Sequence, residues 1–169
     1  MSGALLNEHE TMLNVGLGAE VLAAFTAAFW RVTERPEETV TMWHIATVFP
    51  LVFHGASRRA ISKRRSRSGL RSILSRDPDN DIAQNEAIFS LNQRMRAMHP
   101  RTMRSLNCAI AWGLLGIEDG AIRALSASRN GSSAGEAGEI IDAARKLGTW
   151  AGKLTSFEYL TVLGVEFRR

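Results

Sequence analysis

Leu114-Leu115-Gly116-Ile117-Glu118-Asp119-Gly120-Ala121-Ile122-Arg123-Ala124-Leu125 is the stretch that decides the fold. Two short apolar runs flank Glu118-Asp119-Gly120, and Asp-Gly in that setting marks a tight β-hairpin, because glycine accepts the positive φ of the turn. Upstream, Asp81 caps a helix carrying Ile82, Glu86, Ile88, Phe89, Leu91, Met95 and Met98, which His99-Pro100 is expected to close. Pro100 suits the first turn of a further helix, with Met103, Leu106, Ile110 and Leu114 on one stripe and Arg101 and Arg104 near its start. Helix, basic-starting helix and hairpin follow one another in the order of a winged helix-turn-helix. The expected fold is mainly α: a compact helical domain with a winged-helix-like portion and one small β-hairpin.

Working outward, Leu17, Val21, Leu22, Phe25, Ala28, Phe29 and Val32 recur at helical spacing until Glu34-Arg35-Pro36 ends the run. Thr39–His54 is apolar nearly all round, which places it at the centre of the core as one helix, kinked or restarted at Pro50. Ala56–Ile61 can form a helical turn, with His54 placed to cap or turn the end of the helix before it. Residues 62–69 read as a solvated basic loop, Leu70, Ile73 and Leu74 return to helical spacing, and residues 126–138 form a Gly/Ser-rich connector. Ile140, Ile141, Ala144, Leu147, Trp150, Ala151 and Leu154 mark another helix. Thr155-Ser156-Phe157-Glu158 has the spacing of a capping box for a last one, which Gly164 stops. Trp43, Trp112 and Trp150 are expected in the core, as are Cys108 and Ile110, and Trp30 at the surface as an interface anchor. The whole chain, 1–169, reads as a single domain.

A chain of 169 residues buries about 70% of the surface it exposes unfolded, enough for a core without disulfides or metal. One cysteine cannot make an internal disulfide framework, and the acidic start is unlike a secretory leader. No run of about 18 uncharged apolar residues is present. These features predict a cytoplasmic protein with no membrane partner.

The net charge of +4 conceals a sharper asymmetry. Between Gly55 and Arg76 lie eight basic residues and no acidic one, and the rest of the chain holds 13 basic against 17 acidic. Cations so closely set attract phosphate, and arginine bonds phosphate oxygens in pairs. Arg58, Arg59, Lys63, Arg64, Arg65, Arg67 and Arg71 are therefore the candidate nucleic-acid-binding residues. The bland alternative is a solvated loop, or ion pairs with the acidic body or a partner. No base-reading motif accompanies the run, so the expected contact is with the backbone, without sequence specificity. Arg101, Arg104 and Arg123 could add DNA contacts from the helix and wing.

Other chemistry is thinly represented. His9, His44, His54 and His99 have no cysteine or carboxylate at ligand spacing, and core or surface roles suit them better than metal binding. Asp77-Pro78-Asp79-Asn80-Asp81 lacks the central glycine and downstream glutamate of a calcium loop and reads as a turn leading to a helix N-terminus. Cys108 stands among apolar neighbours as an inert thiol, and no Gly-Lys-Ser/Thr occurs to cradle a nucleotide. The reading has no catalytic residue, metal or cofactor.

Several strings resemble one family, the middle component of three-component ABC-ATPase (ABC-3C) systems. They are Leu13–Glu20, Phe49-Pro50-Leu51-Val52-Phe53-His54 with Ser57-Arg58-Arg59-Ala60-Ile61, Ala109–Leu115, Ala144–Ala151 and Tyr159–Val165, in order along nearly the whole chain. The chain departs from the pattern at Asn14-Val15, where the family often has Asn-Pro, and its arginine run at 63–67 is denser. The resemblance implies bacterial antiviral defence against phages or plasmids, with a layout like that of Lamassu systems. It implies a non-enzymatic adaptor between an SMC/Rad50-like ABC ATPase subunit and an effector protein, often a nuclease; the expected non-specific contact with double-stranded DNA rests on the basic run instead. The C-terminal Trp150–Phe167 is the expected partner-facing stretch. The alternative is a free-standing winged-helix DNA-binding transcription regulator, a symmetric homodimer that binds its operator alone.

Overall fold

The computed structural model describes residues 14–71, 81–126 and 135–165, and over 81–89 the backbone alone. The expected turn at Asp77–Asn80, Ile73 and Leu74, most of the connector, and Phe167 lie outside the described residues. Among the described residues there are six helices and one two-stranded hairpin: α1 (Val15–Val32), α2 (Met42–Val52), α3 (Gly55–Lys63), α4 (Asp81–Ala111), β1 (Leu115–Glu118), β2 (Ala121–Ala124), α5 (Glu136–Ala151) and α6 (Ser156–Val162).

The hairpin forms as its sequence requires. β1 and β2 pair antiparallel with Ile117 opposite Ile122, and Asp119 (φ 51°) and Gly120 (φ 78°) make the two-residue turn. Positive φ at both central residues matches the right-handed twist of the strands. Ile122 N–H donates to the Val40 carbonyl at 2.9 Å, so one residue between α1 and α2 adds a third strand-like contact. The Trp30 indole donates to the Ile122 carbonyl at 2.8 Å, and Arg123 lies over the Trp30 ring at 4.5 Å. Trp30 is thus committed to holding the hairpin against α1, and the expected role as a surface anchor is corrected.

Helix α1 is the centre of the molecule. The Asn14 side chain accepts from the Leu17 N–H at 2.9 Å and starts it, and ten of its residues are buried. By length and composition alone it could cross a bilayer; it lies mostly inside the domain, packed chiefly on α5 and α4, as a core helix does. Gly148 of α5 and Gly152, its C-cap, meet the carbonyls of Phe25 and Phe29 respectively, so α1 and α5 run parallel with their backbones nearly touching. A Cβ at either position would displace that backbone.

Helix α2 continues through Pro50 and ends at Val52. Buried His44 stacks on Tyr159 (5.1 Å) and meets Phe29 edge-on (5.4 Å). Its Nδ1 accepts from the Thr41 N–H at 3.1 Å, which leaves the proton on Nε2, an atom with no partner among the described residues. Burial pulls its pKa down to about 4, against a small opposing pull from Glu38. Tyr159 shares a 2.8 Å hydrogen bond with Thr47, and burial pushes its phenol up.

One expected boundary is absent. α4 runs unbroken for 31 residues through Pro100, so the turn expected at His99-Pro100, and with it a helix-turn-helix inside 81–111, does not form. Proline removes one N–H and strands the carbonyl four residues earlier, that of Arg96. Arg96, His99 and Pro100 all face solvent, where water can satisfy that carbonyl. The opposite face, with Leu91, Met98, Thr102, Ser105, Leu106 and Ala109 buried, holds the helix together through the site.

Candidate nucleic-acid interface

The basic segment begins on α3. His54 caps that helix, its Nδ1 accepting from the Ser57 N–H at 3.3 Å, and nine residues are helical where one turn was expected. Arg59 and Lys63 project from it into solvent. Arg58 does not. Its side chain is 11% exposed, donating at 2.8 Å to Glu136 and at 3.2 Å to the Val52 carbonyl. Of the seven candidates, Arg58 is therefore a structural tie between α3 and the start of α5.

Residues 64–68 form a loop whose side chains are all exposed. Its backbone is pinned. Lys146 of α5 donates to the carbonyls of Ile61 (3.2 Å), Ser62 (3.0 Å) and Arg64 (2.8 Å), and the Trp150 indole donates to the Ser66 carbonyl at 2.9 Å. Ser68 N–H closes a turn on the Arg65 carbonyl, and buried Leu70 fixes the far end. Among the described residues, no carboxylate stands within ion-pair distance of Arg59, Lys63, Arg64, Arg65 or Arg67. Arg71 is exposed beside them, close enough to Glu158 to help hold its carboxyl below the usual range, after the Thr155 hydrogen bonds. Between α3 and α5 a cleft of about 520 Å³ is lined by Arg58, Arg59, Lys63 and Lys146 together with Glu139 and Asp142. Six of the seven candidates are thus exposed, with Arg59 and Lys63 at a cleft that the carboxylates of α5 border.

The sequence reading missed Lys146 and Trp150. Four residues apart, they share one face of α5, but the loop they hold is 82 to 85 residues away in the chain. No local pattern reports such a contact.

The hairpin offers less to a phosphate. Arg123 pairs with Glu118 at 3.0 Å and stacks on Trp30, so it holds the wing together; Arg104 is exposed and Arg101 half-buried. Three core expectations are corrected here. Trp112 is 60% exposed, Trp43 46% exposed, and Ile110 lies at the surface, while Cys108 is half-buried. Trp112 follows the last residue of α4, and its ring lies against Gly16 at the start of α1. Val15, Ile117 and Leu125 are exposed too, with Leu125 lying over Gly116. By contrast the described part of the C-terminal stretch expected to face a partner is mostly core: Trp150, Tyr159, Leu160, Leu163 and Val165 are buried, and among its described large apolar residues Phe157 alone is strongly exposed. Among the described residues, no three metal-ligating side chains come together.

No curated protein and no solved structure matches the chain. The family model of the ABC-three component (ABC-3C) system Middle Component 3 matches residues 2–167, a span that takes in the pinned basic loop, the helix that pins it and the hairpin. The chain belongs to the Middle Component 3 family of ABC-3C systems.

Proposed function

We propose that this component works without chemistry of its own, in the cytoplasm, as an adaptor in an antiviral defence complex. It links an SMC/Rad50-like ABC ATPase to an effector protein and holds double-stranded DNA through Arg59, Lys63, Arg64, Arg65, Arg67 and Arg71. One observation carries the DNA contact: five of these cations stand on an anchored backbone with no described carboxylate in ion-pair reach. A surface loop of arginines held in place loses little further entropy on meeting phosphates, which favours binding.

Family membership supports the link to other components, since a middle component acts within a multi-component system. Trp112, lying against Gly16 beside exposed Val15, is the docking anchor for a partner component, because an exposed aromatic ring is typical of docking sites. Of the winged-helix-like reading only the hairpin remains, extended by the strand-like contact of Val40, since α4 runs unbroken where two helices were expected. Against the free-standing regulator stands Arg123, occupied by Glu118 and Trp30, which leaves the wing poor in available charge.

The test is filter binding by the purified ATPase assembly carrying K63E, R64E, R65E and R67E together. Loss of four phosphate contacts should flatten the slope of log affinity against log salt by about 3 to 4. Unaltered affinity and slope would remove the DNA contact, and failure of the protein to co-purify with the ATPase would remove the adaptor role. W112E should abolish that co-purification while leaving duplex binding intact.

A further inference from the structure

We infer that Lys146 and Trp150 are positioning residues that set the basic loop for phosphate, an inference resting on the reading of that loop as a DNA contact. An ammonium has three protons to donate, and Lys146 directs its donors at three carbonyls, of Ile61, Ser62 and Arg64. Ile61 and Ser62 lie in the last turn of α3, where unpaired carbonyls carry the negative end of the helix dipole. Left open, those oxygens would repel a phosphate approaching Lys63 and Arg64. Lys146 both pairs with them and supplies the compensating charge.

Trp150 extends the arrangement one turn further along α5 by taking the Ser66 carbonyl. Carbonyls of 61, 62, 64 and 66 are thereby turned towards α5, and the side chains of Lys63, Arg64, Arg65 and Arg67 are left outside. The outward surface carries the cations and hides the acceptors. The arrangement is built before any ligand arrives, so binding need not order the loop.

The experiment uses the full chain with K146M, the charge-neutral W150F, and K153M as a control that removes one exposed lysine from the turn just after the same helix. Two quantities are read: the rate of trypsin cleavage after residues 63, 64, 65 and 67, and affinity for a short random-sequence duplex across a salt series. K146M should raise the cleavage rate about tenfold and weaken the duplex about tenfold, against about twofold or less for K153M. W150F should speed cleavage and weaken the duplex about threefold with no change in salt slope, since it removes no charge. Unchanged cleavage in both variants overturns the inference, and so does faster cleavage with unchanged affinity. If the wild-type chain and its ATPase assembly bind no duplex, the DNA reading itself is overturned, while the cleavage rates still decide whether α5 holds the loop.

Discussion

On the side of α5 that faces α1, contact depends on missing side chains: Gly148 and Gly152 let two backbones meet where any Cβ would intrude. On its other side, contact depends on two of the longest side chains in the helix, Lys146 and Trp150, reaching out to carbonyls of the basic loop. One helix therefore serves two regions by opposite means. The glycine side fixes the distance between buried elements and bears on stability. The donor side fixes the orientation of an exposed backbone and bears on what the surface can bind.

That contrast is tested most severely by G148V. The added atoms would meet the Phe25 carbonyl, which belongs to a buried helix and has nowhere to go. Stability should fall by about 4 kcal/mol and the Tm by about 10 °C or more, read by thermal denaturation. A Tm within a degree of wild type would mean that α1 and α5 do not meet as closely as described.

Acid should come next. His44 is held near pKa 4 in the fold and returns to its ordinary value of 6.5 when unfolded, so the unfolded chain binds the extra proton first. The stability it contributes is complete above pH 6.5 and is lost as pH falls from 6.5 towards 4, a change of about 3 kcal/mol. Urea unfolding across that range should show the slope in wild type and a flatter profile in H44Q.

Smaller still is R58M, which leaves Glu136 and the Val52 carbonyl without their shared donor. We expect about 1 kcal/mol by urea unfolding, because the pair is only partly removed from water. Duplex affinity should change little, since Arg58 faces Glu136 rather than solvent. The smallest effect on stability belongs to R64E with R65E, within about 0.5 kcal/mol, although these changes should cost much of the duplex affinity. A large loss of stability there would make the loop part of the core and erase the distinction between the two sides of α5.

The features legible in the sequence are those set by neighbours in the chain. Asn14 and the Thr155–Glu158 pair cap the helices they precede, Gly164 stops the last one, and Asp119-Gly120 turns the hairpin, whereas His54, expected to close the helix before it, caps the one after. Each needs only residues a few positions away. Pro100 misled because its rule is local, whereas the packing of Leu91, Leu106 and Ala109 that carries α4 through it is not. Trp43 and Trp112 misled because an apolar side chain signals burial only if some other element arrives to cover it. For the candidate interface, charge density picked out a segment whose cations, Arg58 apart, the structure leaves exposed. Separating Arg58 from its neighbours required Glu136, and finding the loop's anchors required Lys146 and Trp150, all supplied by a distant helix.

The parallel pairing of α1 and α5 has a consequence for synthesis. Thr33 and Gly152, which meet where the two helices end, are 119 residues apart in the chain. At ordinary translation speeds α1 waits about ten seconds for its partner to leave the ribosome. Throughout that interval an 18-residue greasy segment, long enough to be mistaken for a membrane anchor, is without its cover. The last fifth of the chain thus works as its own chaperone, and a product cut short before Glu136 should come out of the cell in the pellet.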